Sequence, residues 1–203
     1  GAASAPAMSG RVVVFIDAYL GAANAAWRGA LVARDRQLPL HLLALHPLHE
    51  RLAHPQASVQ ALADEVPHRL GLQVSCQAIA GTIEHEGLDA AREAALLVMP
   101  STPARWPWLT DAAALRMLRR ADRPLLIVRL PALGSYRGVL AAAPRHLDGT
   151  SVIAAAHALS RDPCMKVLHV VHTPHEEALR LAEVPEHALR QVRERSAARV
   201  RDH

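Results

Sequence analysis

The sequence predicts an α/β protein: an open five-stranded parallel sheet in the order 3-2-1-4-5, followed by a partial second copy of the same unit. Three observations predict it. From residue 11 onward short apolar runs alternate with helix-like stretches, and alternation of that length implies a parallel sheet joined by right-handed crossovers. One run, residues 72–79, alternates polar and apolar residues where the others are almost wholly apolar, which places it at a sheet edge. A shift of 126 residues then aligns the chain with itself without gaps.

Each element follows from its local pattern. "VVVFI" (12–16) is a continuous apolar run and reads as a buried strand. Residues 22–33 are Ala-rich and helical, and "LHLLAL" (40–45) is the second strand. Val59, Leu62, Val66 and Leu70 keep helical spacing, although Pro67 should bend or shorten that helix. In the third strand Leu72, Val74, Cys76 and Ala78 oppose Gln73, Ser75 and Gln77. Thr82 can cap the next helix, with Glu84 and Glu86 favourable in its first turn. "ALLVM" (95–99) is a central strand, Thr110 or Asp111 can start a helix carrying Leu115 and Leu118, and "PLLIV" (124–128) is the fifth strand.

The 126-residue shift places "VVVFID" on "GVLAAA" (138–143), and His46, His49 and Glu50 on His172, His175 and Glu176. Two segments matching at one offset, each at a strand end, indicate a duplicated unit. The resulting domain reading is a tag-like or disordered start at 1–10, a complete unit at 11–130, a linker at 131–137 and an incomplete second unit at 138–203. The fifth strand is apolar on both faces yet lies at an edge. An apolar edge of that kind calls for a partner, so a homodimer is expected through Leu125, Leu126, Ile127 and Val128 or through the partial second unit.

Composition narrows the function classes. Of 203 residues 51% are hydrophobic and 21% charged, a globular balance. Only six aromatics are present, so the core is built from Leu, Val, Ile and Ala. The formal charge of +4 is modest; arginines cluster in residues 190–201 without interleaved aromatics, which reads as a solvated helix face, with no nucleic-acid partner expected. Cys76 and Cys164 are isolated, which argues for a reducing compartment. No run reaches membrane-spanning length, and "GAASAPAM" lacks the basic start and apolar core of a signal peptide. The cytoplasm is the expected location.

Asp17 closing strand one, the polar third strand and the ending "VMPSTPARWPWLTDAAALRMLRRADRPLLIV" together resemble a universal stress protein domain. The duplication and the Thr-Asp in that ending resemble most the tandem UspE-like branch. The resemblance covers residues 11–130 as a whole domain and 137–203 as the front of a second. It implies a Rossmann-like fold of the adenine nucleotide alpha hydrolase type, and a non-enzymatic stress-response protein that binds a ligand or partner. Nucleotide-binding members carry G-x-x-G, nine residues, then G-[ST] after strand four. Glycine there lets backbone N–H groups approach phosphate oxygens. In this chain the four positions hold Pro100, Pro103, Ala113 and Ala114. Proline has no N–H and a fixed φ, so the phosphate loop is replaced, and no ATP cofactor is expected in the first unit. The resemblance also assigns Asp17 to the adenosine end of a ligand; its counterpart in the second copy is Ala143. A nucleotide-binding (ATP or AMP) switch or enzyme on the same fold is the alternative.

Candidate ligand-binding residues are therefore Asp17, Ser101, Thr102, Trp106 and Trp108. Asp17 reads equally as a polar strand terminus that caps nearby backbone. Trp106 and Trp108 pack over the sheet end or an interface, or line an apolar pocket at the carboxyl ends of the strands. No catalytic residue is identified: the chain holds no nucleophile elbow, HExxH or Walker A pattern, and Ser101 and Thr102 have no recognisable base. No metal site is expected either, because His46-x-x-His49 and His172-x-x-His175 lack cysteine and converging ligands; His169 adds only a strand residue. In "TIEHEGLD" (82–89) the carboxylates around His85 sit at a helical spacing that faces solvent.

Overall fold

The computed structural model describes residues 10–17, 22–46, 55–81, 83–101, 116–117, 119–142, 149–159, 165–168, 182 and 184–201. Apolar runs form the strands β1 (Arg11–Asp17), β2 (Leu40–His46), β3 (Val74–Ala80), β4 (Ala94–Pro100) and β5 (Leu125–Val128). All pair in parallel, in the order β3-β2-β1-β4-β5. The predicted order and class hold. β1 and β4 are apolar along their whole middle and lie centrally, where both faces are buried.

The two faces are covered differently. Helix α1 (Ala22–Arg36) and helix α2 (Pro55–Leu70) pack on one face, over a core of Val12, Val14, Ile16, Leu40, Leu42, Leu96 and Val98. α1 approaches closely because Gly29 meets β1: a Cβ there would overlap the Val14 side chain. The other face holds Val13, Phe15, Leu43, Leu45, Leu97 and Met99 with Ala91 and Met117. Ala91 ends the short helix α3 (Leu88–Ala91).

Three local expectations are corrected. α2 is not shortened by Pro67 but runs on to Leu70. Pro67 falls in the last turn, and Val59, Ala63 and Val66 are buried on one side. That burial holds the turn, which Gly71 closes with φ 66° and an N–H donated to the Pro67 carbonyl at 2.8 Å. The helix predicted after Thr82 opens as a π turn over Ile83–Gly87 before α3, and Thr82 itself lies outside the described residues, as do Thr110, Asp111, Leu115 and Leu118. Finally, β5 begins at Leu125, one residue later than read.

β3 is an edge strand, with Val74, Cys76 and Ala78 turned toward the first core and Ser75 and Gln77 exposed. After β5 the chain does not hang free. Asn24 of α1 donates to the Leu130 carbonyl at 2.7 Å and accepts from the Ala132 N–H at 2.7 Å. Arg28 donates to the Gly134 carbonyl at 2.6 Å and stacks on Tyr136 at 4.1 Å. Arg34 donates to the Ser135 hydroxyl at 2.9 Å. The segment read as a linker is thus a strap fastened along α1.

Beyond it come β6 (Leu140–Ala142), helix α4 (Gly149–Leu159), β7 (Lys166–Leu168) and helix α5 (Glu186–Arg201). β6 and β7 pair in parallel as a separate two-stranded sheet. Their registers differ from the first unit: Leu140 faces Lys166, 26 residues on, whereas Val12 faces Leu40, 28 residues on. The gapless shift locates the elements, but the strand pairing is offset by two residues. An even offset keeps side chains on their original faces.

Candidate functional site

In an open α/β sheet the crevice forms where chain connections leave neighbouring strands in opposite directions. Here β1 connects to β2 on one side, while β3 crosses over to β4 on the other. The crevice therefore lies at the carboxyl ends of β1 and β4. β1 ends at Asp17 and β4 at Pro100. Their register runs Val12 to Leu96 through Val14 to Val98; continued at that offset, Asp17 falls level with Ser101. The sequence-predicted Asp17 and Ser101 are thus brought to adjacent strand ends. The Asp17 side chain lies outside what is described, and so do Thr102, Pro103, Trp106, Trp108, Ala113 and Ala114.

The backbone at this end is already committed. Pro100 is opposite Val128 in the β4–β5 ladder and carries no N–H. The Ser101 N–H donates to the Val128 carbonyl at 2.8 Å. Two successive positions at the start of the loop therefore offer no backbone donor to an anion. α1 starts beside this crevice, and its Asn24 holds the first part of the strap, Leu130 and Ala132, at the same end.

Among the described residues no group of three potential ligands converges; the His46 side chain, His49, Glu50, His169, His172, His175 and Glu176 lie outside them. His85 and Asp89 are exposed, while Glu86 is half-buried and Gly87 buried; the Glu84 side chain lies outside the described residues.

The sequence reading missed a polar cluster at the opposite, amino end of the sheet. His41 of β2 is opposite Ser75 of β3, and its Nδ1 lies 2.8 Å from the Ser75 hydroxyl. His41 is only 7% exposed. Burial, aided by the Arg11 guanidinium and opposed by the Glu93 carboxylate, holds its pKa below the ordinary 6.5. Arg11 itself pairs with Glu93 at 3.0 Å. The available signal was a histidine inside an apolar strand, since a buried imidazole needs a partner.

No family model matches the chain, and no curated protein matches it. Solved structures do match. A protein of unknown function from Pseudomonas aeruginosa is 21% identical over 97% of this chain and 72% of its own, with a TM-score of 0.62. A universal stress protein from Archaeoglobus fulgidus is 18% identical over 60% of this chain and 44% of its own, with a TM-score of 0.49. Another from Archaeoglobus fulgidus, solved in complex with dAMP, is 16% identical over 60% and 99%, with a TM-score of 0.47. The likeness is one of fold. The Pseudomonas match extends over nearly the whole of this chain. Among the described residues no helix is long and apolar enough to cross a membrane.

Proposed function

We propose that the protein is a cytoplasmic stress-response protein of the universal stress family, tandem branch, acting by binding a ligand or partner and not by catalysis. The reading is supported by the sheet order, by Asp17 at the end of β1 and by the crevice between β1 and β4. Its ligand is not ATP. The observation that carries this is the committed backbone: Pro100 has no N–H and the Ser101 N–H is taken by Val128, where a phosphate cradle requires free, converging donors. Titration calorimetry with ATP and magnesium should give no saturable heat at millimolar nucleotide. A micromolar dissociation constant would overturn the reading, and AMP serves as the matched probe without the outer phosphates.

A partner reading rests on a separate observation. Among the described residues β5 pairs on one side only, and its Ile127 is 42% exposed. An apolar edge of this kind is a template for another chain. The protein is accordingly a homodimer, joined through Leu125–Val128 or through the second unit. Light scattering should give twice the chain mass. A clean monomer at tens of micromolar, with fast amide exchange in β5, would sink it.

A further inference from the structure

We propose that Ser75 is an acylation site, a hydroxyl activated by His41 that accepts an acyl group from a small activated donor such as an acyl phosphate or thioester. It stands at the amino end of the sheet, apart from the crevice at the carboxyl ends, and is independent of the ligand assigned there.

The geometry supplies each part. Ser75 lies on an edge strand and is exposed, so a donor can reach its oxygen. His41 is directly opposite on β2 and buried. The hydroxyl has two acceptors in range, His41 Nδ1 at 2.8 Å and the Leu40 carbonyl at 3.5 Å. With the imidazole proton on Nε2, Nδ1 is the nearer acceptor for the Ser75 hydroxyl, and the Leu40 carbonyl is the longer alternative. That is the arrangement of a nucleophile with its general base. Burial and Arg11 favour the neutral imidazole that the role requires. Glu93 is held by Arg11 at 3.0 Å, which keeps the guanidinium from standing as an uncompensated positive charge beside the base.

The step balances within the pair and the donor. The Ser75 oxygen attacks the acyl carbon, and its proton passes to His41 Nδ1. The oxygen–acyl bond forms as the bond from acyl carbon to the leaving phosphate oxygen or thiolate sulfur breaks. The imidazolium then returns the proton to the leaving group. The proposal ends at the acyl-serine.

Cys76 and Lys166 make the test discriminating. Cys76 is next in sequence but turns to the other face of β3, within 3.2 Å of Gln60, and Lys166 is the only lysine in the chain. The intact protein is treated with p-nitrophenyl acetate and the acetyl group located by peptide mass spectrometry. The expected result is acetylation at Ser75, absent in Ser75→Ala, unchanged in Cys76→Ala and slowed at least tenfold in His41→Gln. An acetyl group on Cys76 or Lys166 with Ser75 unmodified overturns the proposal, as does wild-type labelling in folded His41→Gln. Should that variant not fold, the wild-type rate decides: it should rise with pH only below the ordinary histidine range and then stay flat. A rate that keeps climbing through about pH 8 is that of an unassisted serine and overturns it equally.

Discussion

β1 and β6 begin alike, each an apolar strand followed by an Ala-rich helix and a parallel partner. Their surroundings then diverge. β1 lies between β2 and β4 and is covered on both faces. Among the described residues β6 is paired only with β7. The 126-residue shift matches Val14 with Leu140 and Leu42 with Leu168, and the members of each pair have opposite fates. Val14 and Leu42 are fully buried, while Leu140 is 62% and Leu168 46% exposed. Apolar sequence makes a strand, but only flanking strands and two helical layers make it a core.

The matched leucines give the sharpest way to break this comparison. Leu42→Ala should cost about 2–5 kcal/mol, as expected for a filled site that cannot collapse. Leu168→Ala should stay within about 0.5 kcal/mol, the range of surface substitutions. Urea unfolding of both variants, followed by circular dichroism, compares them directly. Equal costs would mean that β6 and β7 are covered in solution, and the contrast between the units would fail.

A smaller effect tests what fastens the second unit to the first. Arg28 is 7% exposed, and its Nε has no hydrogen-bond partner, while its remaining contacts hold Gly134 and Tyr136. Arg28→Met keeps the apolar stem and removes the guanidinium grip. A hydrogen bond from a charged group is worth about 1.5–3 kcal/mol, partly offset here by relief of the unpartnered Nε. Trypsin should then cut at Arg129 and Arg137, both exposed, roughly tenfold faster, since about 1.4 kcal/mol is one decade. Unchanged cleavage would show that the strap is held by Asn24 and Arg34 instead.

The sequence spoke clearly where a pattern had one physical meaning. The alternation of residues 72–79 suits only a half-covered edge, and β3 is there. The apolar runs of β1 and β4 suit strands buried on both faces, and both are central, whereas the equally apolar β5 lies at an edge. Pro67 did not shorten α2, because it falls in the last turn of a helix whose Val59, Ala63 and Val66 are buried. The strap was hidden for a different reason: "PALGSYRG" has linker composition, and its order comes from Asn24, Arg28 and Arg34, over a hundred residues earlier. Ser75 and His41 were equally hidden, since strand register alone brings together residues 34 apart. At the crevice, Pro100 was legible as the loss of a donor, whereas the bond from Ser101 to Val128 required the β4–β5 ladder.

The smallest expected effect separates the units by acid. His41 has no histidine at its matched position, which is Val167, so its proton linkage belongs to the first unit. Burial is the main reason its folded pKa lies below the ordinary 6.5, with Arg11 adding to it and Glu93 opposing. In the unfolded chain the imidazole takes up a proton near that ordinary value, while in the folded chain it stays neutral to lower pH. Below 6.5 the unfolded state therefore binds more protons, and stability falls with pH until the folded imidazole is protonated too. Above 6.5 the contribution is fully present. One proton limits the slope to about 1.4 kcal/mol per pH unit. Urea midpoints measured downward from neutral pH should thus fall through this window in the wild type and flatten in His41→Gln. A variant with the wild-type slope would assign the acid response to other groups. The amides of β1 and β2 should report the same window, because His41 lies between β1 and β3 and its protonation would place a charge beside Arg11, offset in part by Glu93.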